Sequence, residues 1–119
     1  MSPRDRIIRF TALRDMGCLI AHIRGVGYVP CEIHHLLTTG LHGNGKRRGD
    51  EATIALNPWS HRGIRFDGWT VDQCRQMLGP SYALEPLAFR AEFGSDDELL
   101  ARENARIAAW HGSIVGRVA

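Results

Sequence analysis

An α+β fold is predicted for this chain of 119 residues, and three observations predict it. Two short apolar stretches, "CEIHHLL" and "TIAL", carry the β-branched and apolar positions of strands. A Gly-rich, charged segment, "TTGLHGNGKRRGDEA", separates them as a loop or hairpin crossing. A helix start follows at once in "NPWSHRG", where Asn57 can cap and Pro58 suits the first helical position. The length fits one modest core. The expectation is one small domain over 1–119: an N-terminal helix at 1–17, a strand–strand–helix unit at 31–66, and a helical C-terminal part at 67–119.

Taken in order, Ile7, Phe10, Leu13 and Met16 recur every three residues as one face of an amphipathic helix, and Gly17 is placed to stop it. "CLIAHIRGVGYVP" is ambiguous, and its Gly and Pro residues suggest a loop carrying a short apolar segment. After the strand–loop–strand–helix order, Thr70 and Gln73 form a capping-box pattern that opens "VDQCRQML", which ends at Gly79-Pro80. A short helix is expected around Leu87 to Phe93. Ser95 with Glu98 gives a second capping box and opens "DDELLARENARIAAW". There Leu99, Leu100, Ile107 and Trp110 are the candidate core face. Trp59 and Trp69 read as core or rim packing.

Composition narrows the class. Apolar residues make up 44% and charged residues 24% of the chain, which is ordinary for a globular protein and argues against wholesale disorder. No apolar run approaches a membrane span, and "MSPRDRIIRF" lacks the apolar stretch of a signal peptide. A cytoplasmic chain is expected. Cys18, Cys31 and Cys74 are an odd number without a CxxC pair, against a disulfide framework and against an intact cysteine zinc knuckle. The net charge is +2, unevenly spread. Lys46, Arg47 and Arg48 stand in a row, Arg62 and Arg65 follow, and acid gathers in "SDDELLARE". Such a run suits a binder of phosphate backbones; it also suits a solvated loop.

His34 and His35 stand side by side, and His61 falls in the helix start. Histidine is both a common metal ligand and the usual base near neutral pH. Adjacent strand residues point to opposite faces, so the pair cannot share one task from a regular strand. His22 and His111 have no comparable context. His42 is a weaker candidate, because it falls in the loop between the strands.

A strand–strand–helix unit with His-His on the first strand and His on the helix resembles the HNH, or ββα-metal, nuclease motif. The longer string "CEIHHLLTTG…GKRRG…TIALNPWSHRG…GPSYA…FGSDDELL" resembles the phage recombination-enhancement (Ref-like), RecA-dependent nucleases. The likeness runs from about Gly17 to Leu100. It implies a ββα-metal core with His34 and His61 as metal ligands and His35 as general base. It also implies a divalent cation, Mg²⁺ first and Mn²⁺ or Zn²⁺ otherwise, as Lewis acid on the phosphoryl group. Lys46, Arg47, Arg48, Arg62 and Arg65 are candidates for the DNA backbone. DNA, and RecA-coated DNA in recombination, are the implied partners.

Two departures stand out. The family's middle Asn falls on Ala52. The structural zinc that the resemblance implies would use Cys18 and positions that here read Ala21, Asn57 and Ser60. One thiol cannot build a tetrahedral zinc site, so no structural zinc is expected, and Cys18 becomes a small buried apolar residue. Two classes of function follow. One is an active metal-dependent DNA endonuclease of phage or prophage origin, which retention of all three histidines favours. The other is a catalytically weak or inactive nuclease-derived protein that binds DNA or protein, which loss of the zinc positions favours.

Overall fold

The computed structural model describes residues 1–37 and 46–118, with side chains described through 115. In chain order the elements are α1 (Pro3–Met16), α2 (Leu19–Arg24), β1 (Glu32–His35), β2 (Thr53–Leu56), α3 (Pro58–Arg62), α4 (Val71–Leu78), α5 (Pro86–Phe93) and α6 (Asp96–Val118). The fold is α+β, a two-stranded antiparallel hairpin packed among helices, consistent with a ββα-type core.

Most helix starts follow from local chemistry. Ser2 and Asp5 form a capping box on α1, and Thr70 and Gln73 form one on α4. Ser95 and Glu98 exchange the same pair of bonds before α6, 3.1 Å each way. These bonds satisfy amide groups that the first helical turn leaves without partners. Asn57 caps α3 by accepting from the amide of Ser60 at 2.8 Å, with Pro58 as the first helical residue.

The segment expected to be a loop contains α2 instead. Its helical stretch, "LIAHIR", has no Gly or Pro inside it, and Gly25 ends it in the left-handed conformation at φ +71°. The Gly and Pro residues that suggested a loop mark its end, not its interior. On α1 the core face is Arg9, Ala12 and Leu13, whereas Ile7 is 62% exposed. A strict three-residue spacing drifts around a helix of 3.6 residues per turn, so Ile7 and Leu13 do not share a face. On α6, Leu99 is buried and Leu100 packs against the core. Ile107 and Trp110 are half-buried.

The core joins Leu19, Ile20, Leu36, Ile54, Leu56, Trp59, Leu78, Phe89, Phe93 and Leu99. Trp59 is buried in it and donates its indole N–H to the Gly79 carbonyl at 2.9 Å, so its one polar group is satisfied. Trp69 lies at the rim, 36% exposed.

The hairpin pairs Glu32 with Leu56, Ile33 with Ala55, His34 with Ile54 and His35 with Thr53. It continues through a Leu36 N–H to Ala52 carbonyl bond of 3.0 Å and a bridge between Leu37 and Arg47. In an antiparallel ladder hydrogen-bonded pairs alternate with non-bonded ones, so the main-chain groups of Thr53 and Ala55 face away from β1. Helices meet them. Glu103, fully buried on α6, accepts the Ala55 N–H at 2.9 Å. Arg9 of α1 donates to the Thr53 carbonyl and, at 2.8 Å, to its hydroxyl. Arg106 closes the network, donating to Glu103 at 2.7 Å and to the Gly17 carbonyl at 2.8 Å.

Candidate functional site

The hairpin sends its adjacent histidines to opposite sides, as the pleat requires. On one side the His34 ring meets His61 of α3, with ring centres 4.7 Å apart, and Tyr82 at 5.3 Å. On the other side His35 lies edge-on to Phe10 of α1 at 6.4 Å.

His34 is enclosed. Burial first, then the neighbouring His61, His35 and Arg47, push its pKa down to about 4, so the imidazole stays neutral at neutral pH. His61 takes a definite orientation, because its Nδ1 meets Glu32 Oε1 at 3.0 Å. The Arg62 guanidinium holds the Glu32 carboxyl below its usual range, bonding it through Nε at 2.9 Å and through a second, shorter contact. An ionised carboxylate only accepts, so Nδ1 of His61 donates to it and Nε2 is the ring nitrogen left to meet a cation. Gly63 makes the arrangement possible by ending α3 at φ +70°, where a Cβ would lie 2.6 Å from Leu84.

These residues fit a divalent cation as a pair of ligands. Two imidazoles bound to one ion at metal–nitrogen distances of about 2.1 Å place their ring centres roughly 4.6–5.3 Å apart, from octahedral to tetrahedral angles. The observed spacing falls in that range, one ring is held neutral, and the other is oriented by a carboxylate in the manner of metal-binding histidines. Among the described residues, no group of three or more His, Cys, Asp or Glu converges on one point. His34 and His61 are the two imidazoles that come together here.

His35 is engaged at both ring nitrogens. Nε2 meets Asp50 Oδ1 at 2.8 Å and Nδ1 meets an Arg47 N–H at 2.6 Å. Asp50 also faces Arg6 of α1 at 3.9 Å, and the hydrogen bond from His35 leads the effects that lower its pKa. The turn that presents Asp50 is braced by its own backbone. Ala52, where the family pattern has Asn, is buried and donates to the Gly49 carbonyl at 3.0 Å. The Thr53 hydroxyl donates to the Asp50 carbonyl at 2.8 Å.

The five basic residues expected on a phosphate backbone differ in their surroundings. Lys46 and Arg47 are exposed, and Arg47 lies on the side of the hairpin that carries His35. Arg48 bonds Asp97 at 3.0 Å, Arg62 is committed to Glu32, and Arg65 reaches the Trp69 carbonyl at 3.4 Å. Arg6, which the sequence did not single out, joins the His35 side. His22 and His111 are exposed. His42 lies outside the described residues.

At the other end of α3 the positions of the implied structural zinc form a hydrogen-bonded knot. Cys18 Sγ accepts from the Asn57 backbone N–H at 3.2 Å and from Asn57 Nδ2 at 3.1 Å. The same Nδ2 donates to the Ser60 hydroxyl at 2.9 Å, and Ala21 is buried beside them in the core. The donor set does not fit zinc, which wants thiolates and imidazoles. Cys18 is buried as expected, but it is a hydrogen-bond acceptor and not merely an apolar filler.

The two carboxylates, Glu32 and Asp50, were missed by sequence reasoning. Glu32 lies two residues before His34 on the strand and so shares its face, a signal that was readable. Asp50 could be paired with His35 only once the hairpin register was known. No helix among the described residues is long and apolar enough to cross a membrane.

Comparison with curated proteins and with solved structures returns no match. A family model described as recombination enhancement, RecA-dependent nuclease matches residues 4–108. That span takes in α1, the hairpin with its three histidines, α3 and most of α6, and the chain belongs to this family of RecA-dependent nucleases.

Proposed function

We propose that this chain is a DNA-binding domain of nuclease descent in which binding outweighs catalysis. The observation that carries the proposal is the state of His35. A general base needs a free lone pair within reach of the attacking water, and both of its ring nitrogens are engaged, by Asp50 and by Arg47. The exposed cations on that side, Arg47 and Arg6, and Lys46 next in sequence, suit a phosphate backbone, with Arg48, Arg62 and Arg65 at the margin. The whole chain acts as one domain, in the cytoplasm of a bacterial host and encoded by phage or prophage. Its target is DNA, and the family description points to RecA-coated DNA.

A second reading, metal-dependent endonuclease, is favoured by the 4.7 Å approach of His34 and His61. These two residues would hold a divalent cation, Mg²⁺ first and Mn²⁺ or Zn²⁺ otherwise. When bound, the cation would stabilise charge on the phosphoryl oxygens. Two protein donors leave room for water and phosphate. His35 would take a proton from water, Glu32 would keep His61 in position, and the basic residues would orient the strand.

Plasmid nicking and filter binding separate the two readings. Binding to DNA with little nicking in Mg²⁺ or Mn²⁺ is the expected result. Rapid nicking that disappears in His35→Ala would establish the second reading. Absence of DNA binding would overturn both. Replacing Lys46 and Arg47 by Ala should lower the slope of log affinity against log salt by roughly 1.4–1.8, the share of two phosphate contacts. An unchanged slope would return the run to a solvated loop.

A further inference from the structure

His35 is bonded on one side by a group that only accepts and on the other by a group that only donates. Arg47 is a guanidinium with no acceptor, so the Nδ1 it touches at 2.6 Å is the bare nitrogen. Asp50, an ionised carboxylate, only accepts, so the Nε2 at 2.8 Å carries the proton. The tautomer is therefore set twice over, with the reactive lone pair on Nδ1.

The two partners differ in what a ligand would do to them. Asp50 sits in the turn braced by Gly49, Ala52 and Thr53 and has Arg6 on its second oxygen. Arg47 is exposed and belongs to a strand extension bridged to Leu37, where the Arg48 N–H donates to the Leu36 carbonyl at 2.8 Å. A neutral imidazole is a weaker partner for a guanidinium than a phosphate, which offers charge and bidentate geometry. An arriving phosphodiester competes for Arg47 and leaves Asp50 in place.

We infer that Asp50 is a positioning residue that holds His35 as its Nε2–H tautomer, and that Arg47 caps the Nδ1 lone pair until a DNA phosphate takes the guanidinium. This rests on the reading of the His35 side as a DNA surface. The cap belongs to the free protein; once DNA removes it, nicking still depends on a cation at His34 and His61, so binding with little nicking remains the expected outcome. Arg47 belongs at once to binding and to restraint, and Asp50 to neither until the cap has gone.

The test is long-range ¹H–¹⁵N NMR on the full chain labelled with ¹⁵N-histidine, without added metal, near neutral pH. His35→Gln assigns the signals. In the free protein Nε2 should be protonated and Nδ1 bare. A saturating short single-stranded oligodeoxynucleotide should shift Nδ1 and leave Nε2 protonated. In Asp50→Ala the free protein should keep its tautomer through Arg47, whereas the oligonucleotide-bound form should become a mixture. Asp50→Asn, which keeps an acceptor oxygen, should restore the single tautomer. In Arg47→Ala the Nδ1 signal should no longer respond, and oligonucleotide affinity should fall on the order of tenfold. Both side chains are at least partly exposed, so these variants should fold. A protonated Nδ1 in the free protein, or one tautomer in oligonucleotide-bound Asp50→Ala, would overturn the role of Asp50. An unmoved Nδ1 at saturation would overturn the cap. If the wild type binds no oligonucleotide, the DNA reading fails and the exchange of Arg47 with it. The role of Asp50 is then judged on the Asp50→Ala, Arg47→Ala double variant, where a persisting single tautomer would overturn it.

Discussion

The family resemblance implies a site at each end of α3, and the two ends differ in their chemistry. At the C-terminal end His61 keeps its imidazole, its carboxylate support from Glu32 and its contact with His34. At the N-terminal end, Asn57 and Ser60 stand where metal donors would, and they are bonded to each other and to the remaining thiol of Cys18. A structural metal fixes the relative position of chain segments, and hydrogen bonds among buried groups can do the same. Polarising a phosphoryl oxygen needs donors that hold a cation, and amide or hydroxyl groups in a closed knot hold none. The end whose task is geometric can be held by hydrogen bonds, whereas a cation at the other end would need the imidazoles that stand there.

The largest expected effect tests the retained end. His34 has a folded-state pKa of about 4 against 6.5 for the unfolded chain. The unfolded state therefore binds more protons between these values, and stability rises with pH across that window. The contribution is present above about pH 6.5 and is lost as pH falls toward 4, on the order of 3 kcal/mol in all. Urea melts of the protein in chelator at several pH values should show this loss, and His34→Gln should flatten it. A wild-type profile flat between pH 6.5 and 4.5 would mean that His34 is far less enclosed than described.

Next comes the altered end. Asn57→Ala removes the helix cap and the bonds to Cys18 and Ser60 at a fully buried position. The cap alone is worth about 1 kcal/mol, and stranding buried partners adds a comparable cost. Roughly 2–3 kcal/mol is expected from denaturant melts. A loss under 0.5 kcal/mol, about half the value of the cap by itself, would mean that the knot does not hold this corner.

Cys18→Ala should cost less, about 1–2 kcal/mol, because sulfur is a weak acceptor and the remaining loss is one small apolar group. A cost above that of Asn57→Ala would move the centre of the knot to the sulfur.

The smallest effect is that of chelation. Domains that depend on structural zinc unfold when it is removed, whereas a cation on His34 and His61 alone would add little to folding. EDTA should leave Tm within about 2 °C, a shift that corresponds to a few tenths of a kcal/mol for a domain this size. A large drop, or stoichiometric zinc beside Cys18 in metal analysis, would erase the contrast between the two ends.

Sequence reasoning reached what is encoded locally. The caps at Asn57, Thr70 and Ser95 are set by bonds spanning three residues, and the opposite facing of His34 and His35 follows from the pleat. It missed what depends on docking. Arg9 looks like a surface residue of α1, yet it is buried against Thr53, forty-four positions away. Glu103 lies among the charged residues of α6, outside the core face that the sequence suggests, yet it is buried. Neither reveals its partner before the helices are placed around the hairpin, whereas Ile7 was misplaced by a three-residue spacing that drifts around the helix. The nearness of His34 to His61 was expected from a three-histidine pattern, whereas the capping of His35 by Arg47 required the strand register.

The pairing of Glu103 and Arg9 with β2 also bears on how this molecule behaves in a crowd. A two-stranded sheet has two open margins, and an open margin invites a strand from another chain. Here the outward amide of Ala55 and carbonyl of Thr53 are already taken by side chains from α6 and α1. An incoming strand would have to displace a buried carboxylate and a buried guanidinium, each of which would lose its partner in low-dielectric surroundings. On this side the sheet cannot grow, so strand exchange and fibril-like stacking through β2 are disfavoured by the same side chains that dock the longest helix.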